Sequence, residues 1–210
     1  MSIKLSILVP TVPSRIDLFY PKIMKELIKQ TKKYNDIELI ALFDNKKRTI
    51  GTKRQEMINL AQGQYIVFID DDDRIAECYV DDIMNTLYAN PNVDCVVFNS
   101  ICKVNGGIEK FCKYGIEFEY WDGGKEWRGK PAHTMVYKSS IVKKHKYSNL
   151  QHGEDCEWIK RACKDIKEQI RIDKVLYYYD AEYSSTSETV GLSDEHILCN
   201  INLKLKELDN

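Results

Sequence analysis

Four short apolar runs, residues 4–9, 37–43, 65–69 and 95–98, recur across the first hundred positions. The stretches between them carry apolar residues at helical spacing instead. Each run is too short for a buried helix and nearly continuous in Ile, Leu, Val and Phe, as strands covered on both faces are. Residues 16–32, 52–61 and 79–88 read as the intervening helices. Pro21 fits the first only in its opening turn or at a break, Gly63 closes the second and Pro91 stops the third. Strand and helix alternating in this way predict a parallel sheet with right-handed crossovers. Ligands of such sheets bind beyond the carboxyl ends of the strands, which here carry residues 11–15, Asp44 and the run 70–73.

The second half has a different pattern. Residues 99–103 and 109–113 flank Asn105-Gly106-Gly107 as a hairpin does around a turn that needs positive φ. Residues 117–120 and 134–137 are expected to add strands, 154–164 a helix, 168–179 a strand and 196–208 a terminal helix. Neither an internal repeat nor a low-complexity linker interrupts the chain. The expectation is one α/β domain over residues 1–210, with a mixed, mainly parallel central sheet flanked by helices.

Composition narrows the class. No apolar run approaches the roughly 18 residues of a membrane span, and the first residues lack the pattern of a signal peptide, so a cytoplasmic protein is expected. Seven cysteines, at 78, 95, 102, 112, 156, 163 and 199, form neither a Cys-x-x-Cys pair nor a regular framework, so they read as free thiols. The net charge of −1 argues against a protein that coats nucleic acid. Residues 101–150 nonetheless hold 10 basic and 5 acidic side chains. This local excess suits either an anionic acceptor or a solvated face.

The four consecutive aspartates at 70–73 repel one another unless a cation sits among them. In an extended segment Asp70 and Asp72 would face one way, and Asp71 and Asp73 the other. Oxygen-only ligands suit Mg²⁺ or Mn²⁺, which keep waters and bridge to phosphate oxygens. The other reading is an acidic loop that caps the next helix.

Around this run, Gly51-Thr52-Lys53-Arg54-Gln55 and the turn Ala61-Gln62-Gly63-Gln64-Tyr65, with its apolar strand ending in Asp70-Asp71-Asp72-Asp73, resemble family 2 glycosyltransferases of the GT-A fold. The opening strand leading to Pro10-Thr11 and the second strand ending in Asp44 fit the same pattern. The match covers roughly the first hundred residues, and Gln55 departs from it where the family more often has Asn. The resemblance implies that Thr11, Val12 and Pro13 line the base pocket and that Asp44 accepts a hydrogen bond from the base imide. It further implies that Arg54 faces the diphosphate, Asp70 lies near the ribose or sugar, and Asp72 binds the metal. Arg15 and Asp71 border the same loops and join this donor-side set. A UDP-sugar with Mn²⁺ or Mg²⁺ is the implied donor. Taken alone, Asp44 is a turn residue and Arg54 a surface helix arginine.

The segment Gly153-Glu154-Asp155-Cys156-Glu157-Trp158 looks like the Glu-Asp motif that supplies the base in that family, which implies Asp155 as catalytic base and Glu154 as its supporting residue. Capping of a helix N-terminus is the alternative. His133 is a candidate for contact with sugar, acceptor or metal, and His152 and His196 are weaker ones. Tyr120, Trp121 and Trp127 form either an aromatic platform for a sugar ring or base, or ordinary packing. Gly124-Lys125-Glu126-Trp127-Arg128-Gly129-Lys130 has P-loop spacing, but Pro131 follows where Ser or Thr is needed, and no buried strand leads into it.

The expected function is a metal-dependent inverting glycosyltransferase moving a hexose, glucose first among the candidates, from UDP-sugar to a hydroxyl acceptor. Small enzymes of the resembled kind act in bacterial surface-glycan pathways and in phages, so a glycan or a modified DNA base stands as acceptor. Residues 1–100 would bind the donor and 101–210 the acceptor. An inactive nucleotide-sugar or cation-binding module and a metal-dependent phosphohydrolase are the alternatives.

Overall fold

The computed structural model describes residues 2–17, 20–44 and 47–181. Strand β1 (Leu5–Thr11) is buried at every position and sits between β2 (Ile37–Phe43) and β3 (Tyr65–Phe68), parallel to both. Burial on both faces is why its apolar run does not alternate with polar residues. Helices α1 (Tyr20–Thr31), α2 (Ile50–Leu60) and α3 (Tyr79–Ala89) make the crossovers. Strand β4 (Arg74–Ile75) follows the acidic run.

Strand β5 (Cys95–Val104) anchors the second half. It pairs in parallel with the long β10 (Gln169–Ala181) and antiparallel with β6 (Lys110–Tyr114) and β9 (Val136–Lys138). Strand β9 also pairs with β3 and so joins the halves into one sheet. Strands β8 (Glu126–Gly129) and β7 (Trp121–Asp122) extend that sheet beyond β6. The longest ladders are parallel and the antiparallel ones short, as the mixed, mainly parallel sheet requires. The β5–β6 turn has φ of 49° at Asn105 and 68° at Gly106, the left-handed conformation its Asn-Gly pair favours.

Several elements differ from expectation. Pro13–Arg15 forms a separate 3₁₀ turn, and α1 starts only at Tyr20, with Pro21 in its first turn where a missing N–H costs nothing. Residues 117–120 are not a strand. There the chain turns, with the Phe118 amide on the Gly115 carbonyl, and Glu117 holds Gln169 and Arg171. The strand expected at 134–137 begins at Val136, because Thr134 lies in a turn closed by the Met135 amide on Ala132. The short helix α4 (Ser139–Lys144) had no periodic signal. The P-loop spacing at 124–130 is spanned by β8, so no phosphate loop forms there. The terminal helix expected at 196–208, with His196 and Cys199, lies outside the described residues.

Helix α5 (Glu154–Ala162) is held from below by Trp158, 1 % exposed. Its indole stacks on Tyr147 at 5.1 Å, meets Tyr137 edge-on at 5.0 Å and donates to the His145 carbonyl at 2.6 Å. Deleting such a side chain costs about 3–5 kcal/mol. Asp155, three residues earlier, thus projects from a firmly seated turn.

Candidate active site

Thr11 ends β1 and buries its side chain against the acidic run, donating from Oγ1 to Asp71 Oδ2 at 2.5 Å. The following 3₁₀ turn exposes Pro13 and swings Arg15 back over the same carboxylates, 2.8 Å from Asp71 Oδ1 and 3.4 Å from Asp72 Oδ2. Asp44, at the end of β2, faces Lys53 Nζ at 2.8 Å and Arg48 Nε at 3.3 Å. Lys53 also donates to the Thr11 carbonyl at 2.7 Å and is almost wholly buried. It ties together the ends of β1 and β2, a role that sequence reading missed although Lys53 stands beside Arg54 in the quoted motif.

Residues 70–73 are not extended. The Asp73 amide bonds back to the Asp70 carbonyl at 3.2 Å, and the resulting turn sends the four carboxylates in different directions. The simple alternation expected of a strand is therefore overturned: Asp71 and Asp72 both reach Arg15, whereas Asp70 faces Arg54 and His133. Asp73 is buried against the Tyr177 hydroxyl, which donates at 2.5 Å and accepts the Asp70 amide at 3.1 Å. Nothing in the sequence pointed to Tyr177, which reaches this turn only because β10 pairs with β4 and β5.

Arg54 is the central cation. Its Nη2 lies 2.9 Å from Asp70 Oδ1, its Nε 3.4 Å from Glu154 Oε1, and its guanidinium 4.9 Å above the Phe68 ring. The buried Nη1 has no protein partner. Helix α2 comes this close to α5 because residue 51 is glycine: a Cβ there would stand 2.0 Å from the Ser148 carbonyl oxygen. Thr49 caps α2 by accepting the Thr52 amide at 3.2 Å.

His133, in the turn before β9, bridges the two halves, with Nε2 3.2 Å from Asp70 Oδ2 and Nδ1 3.3 Å from Asp155 Oδ2. Burial and the Arg54 charge hold its pKa down, yet Asp155 and Asp70 outweigh them and push it up to about 9. Burial works against ionisation of Asp70, but Arg54 and His133 keep it well below the usual carboxylate range. Asp155 is likewise opposed by burial and lowered to about 2 by His133 and Arg54, aided by the Cys156 amide on its Oδ1. Burial raises Glu154, and the neighbouring Asp155 adds to this. Burial raises Asp72 to about 6, with Asp70 and Asp71 adding to it against the pull of Arg15.

Asp72 keeps an open edge, its side chain 16 % exposed and met by a single long ion pair to Arg15, whereas both oxygens of the 22 % exposed Asp70 are taken by Arg54 and His133. An oxygen donor held by only one long ion pair suits a hard divalent cation that takes its other ligands from phosphate and water. Among the described residues no three His, Cys, Asp or Glu side chains gather into a closed cage. His152, the remaining described histidine candidate, lies two residues before α5.

A sequence profile described as Glycosyl transferase family 2 matches residues 20–149, more than half of the chain. The chain belongs to glycosyl transferase family 2. Its fold agrees with solved structures at low identity. S. aureus TarS 1–349 in complex with UDP-GlcNAc superposes with a TM-score of 0.62 at 16 % identity, over 99 % of this chain and 67 % of that one. TarS 1–349 in another crystal structure gives 0.59 at 16 % identity, over 85 % of this chain and 60 % of that one. A197 from STIV gives 0.54 at 15 % identity, over 84 % and 85 % of the two chains. The family 2 chain thus spans 60–67 % of the length of these two TarS structures. No curated protein matches it in sequence. None of its described helices is long and apolar enough to cross a membrane.

Proposed function

We propose that this family 2 chain is a metal-dependent inverting glycosyltransferase that moves a hexose from a UDP-sugar to a hydroxyl acceptor. The observation that carries the reading is the His133 bridge, which puts Asp70 and Asp155 on the two nitrogens of one imidazole. A transfer reaction needs a base for the incoming hydroxyl close to the donor, and the bridge sets Asp155 beside the donor-side Asp70. The UDP-GlcNAc complex of TarS supports a uridine nucleotide as the donor class. Glucose and N-acetylglucosamine head the candidates for the sugar.

In this reading Thr11, Pro13 and Asp44 hold the base, with Asp44 kept in place by Lys53. Arg15 and the unpartnered Nη1 of Arg54 face the diphosphate and the Asp70 carboxylate lies near the ribose or sugar, while Asp71 braces Thr11 and Arg15. Asp72 would hold the divalent cation, which supplies charge neutralisation for the departing diphosphate. The acceptor oxygen attacks the anomeric carbon as the bond from that carbon to the diphosphate oxygen breaks, and Asp155 takes the hydroxyl proton. Attack opposite the leaving group inverts the anomeric configuration. Glu154 supports the base by holding Arg54. Residues 1–100 form the donor half, and the acceptor half starts after 100. The described cysteines are free thiols, consistent with a cytoplasmic setting, that of the host if the gene is phage-borne.

Calorimetric titration with UDP-, GDP- and TDP-sugars, with and without Mn²⁺, tests the donor, and nucleotide release tests turnover. Mn²⁺-dependent binding of a UDP-sugar is expected. Asp155→Asn should retain that binding and lose turnover. Binding without turnover in the wild type would reduce the protein to a nucleotide-sugar module, and release of inorganic phosphate would make it a phosphohydrolase.

A further inference from the structure

Tyr177 holds the acidic turn twice, once through its hydroxyl and once through its backbone. The Ile69 amide still belongs to the β1 ladder and donates to the Leu8 carbonyl at 3.0 Å. The next amide, that of Asp70, donates instead to Tyr177 Oη at 3.1 Å. The same hydroxyl gives its proton to Asp73 Oδ2 at 2.5 Å. One phenol thus staples the first and last residues of the turn, using its single donor and one of its acceptor sites. Past the turn, Ile75 pairs with Tyr177 itself, and the Ala76 amide bonds to the Leu176 carbonyl at 2.9 Å. Entry and exit are therefore both set by one stretch of β10.

The register of β10 is adjusted to make this possible. Between the pairs Phe98–Ile172 and Ser100–Tyr177, β5 advances two residues and β10 five, across two breaks in register. Residues an odd number apart in a regular strand face opposite sides, so an unbroken β10 could not set Ile172 and Tyr177 in line with the same face of β5. Bulges beside functional loops re-aim a side chain. The one re-aimed here is the Tyr177 phenol, 2 % exposed and turned onto the aspartates.

What the staple fixes is the direction of Asp72. Asp70 is pinned at its amide and turned to Arg54 and His133, Asp73 is pinned at its carboxylate, and Asp72 lies between them with its open edge. A rigid oxygen donor discriminates among hard cations. Mg²⁺ demands near-ideal octahedral geometry at about 2.0–2.1 Å, whereas Ca²⁺ accepts flexible arrangements at about 2.3–2.6 Å.

We propose that Tyr177 is a positioning residue that sets the cation selectivity of the acidic turn, holding Asp72 for a small octahedral cation against a larger one. The inference rests on the metal-dependent transfer reading and adds to it a determinant 107 residues from Asp70 in sequence.

The test is calorimetric titration of the full chain with UDP, in chelator and with saturating Mg²⁺ or Ca²⁺, alongside melting curves. The wild type should bind UDP more tightly with Mg²⁺ than with Ca²⁺. Tyr177→Phe keeps the ring and removes the hydroxyl. It should leave the affinity in chelator unchanged and shrink the Mg²⁺ to Ca²⁺ ratio by about tenfold, the scale of one hydrogen bond to a charged group. Tyr65→Phe is the matched control. Its hydroxyl bonds to the Pro91 and Val93 carbonyls at 2.9 and 3.0 Å, and it is buried at the far end of β3 from the turn. That variant should lower the melting temperature as Tyr177→Phe does and keep the wild-type ratio. Asp73→Ala cuts the staple from its other end without touching β10, and should shift the ratio in the same direction as Tyr177→Phe.

A wild-type ratio in Tyr177→Phe, or in Asp73→Ala if Tyr177→Phe does not fold, overturns the proposal. So does an equal shift in Tyr65→Phe, or equal UDP affinity with the two cations in the wild type. If neither cation strengthens UDP binding to the wild type, the metal-dependent reading falls and the proposal with it. A normal cation effect with an unshifted ratio rejects the role of Tyr177 alone.

Discussion

The His133 imidazole stands 3.3 Å from the Asp155 carboxylate, and each sets the protonation of the other. His133 titrates at about 9 in the fold against an ordinary 6.5, so its stabilisation is complete below about pH 6.5 and is lost as pH rises through 9. Asp155 titrates at about 2 against an ordinary 3.8, so its share is present above 3.8 and is lost as pH falls through 2. His133→Gln should therefore lower the melting temperature most between about pH 4 and 6.5, and progressively less towards pH 9 and above. Thermal unfolding of both proteins across pH 4–10 checks this. A constant difference between them would mean that His133 takes up no extra proton in the fold.

Arg54 compensates two carboxylates at once. Its side chain is 5 % exposed, and Arg54→Met would leave Glu154 buried without a cation and Asp70 with His133 as its remaining one. Breaking a buried pair in this way costs about 3–5 kcal/mol, more than the loss of contacts would suggest. Denaturant unfolding at pH 7 should show that loss, and Glu154→Gln added to Arg54→Met should recover part of it. If the double variant is no more stable than the single one, Glu154 does not carry its charge in the folded protein.

The donor half was legible because its elements are local. Runs such as Leu5–Thr11 are apolar on both faces, and the acidic run directly follows one of them, so both the strand order and the candidate loops could be read from residue types alone. What failed depended on distant pairing. Tyr177 acts on Asp73 across 104 residues, and β8 exists because Trp127 pairs with Cys112, which no local periodicity shows. The direction of each aspartate was misjudged for a related reason. A turn bonded from Asp73 to Asp70 replaces the alternation of a strand, and four like residues give no pattern from which to tell the two apart.

Gly51 reports how closely α2 must approach the segment before α5. In an ordinary helix, alanine for glycine stabilises by about 0.5–1 kcal/mol. Here the added Cβ would meet the Ser148 carbonyl oxygen at 2.0 Å, and the helix would have to move. Gly51→Ala should thus destabilise by about 1–3 kcal/mol. It should also reduce turnover, since Arg54 and Glu154 are separated by the same displacement. Chemical denaturation gives the first number and nucleotide release the second; a more stable variant would show that the contact is relieved at no cost.

Asp71 and Asp72 are adjacent but differ in what they hold. Asp71 is 1 % exposed, with one oxygen on Thr11 and the other on Arg15, so its carboxylate is used within the protein. Asp72 keeps an open edge and only a 3.4 Å contact to Arg15. Asp71→Asn should then lower stability by about 1–3 kcal/mol, because one buried charged hydrogen bond is lost. Asp72→Asn should leave the melting temperature nearly unchanged and abolish the part of UDP affinity that Mn²⁺ adds. Parallel melting curves and UDP titrations, each with Mn²⁺ and with a chelator, separate the two roles. If Asp71→Asn removes the Mn²⁺ effect and Asp72→Asn does not, the cation is held on the Thr11 side of the turn and the assignment of Asp72 is wrong.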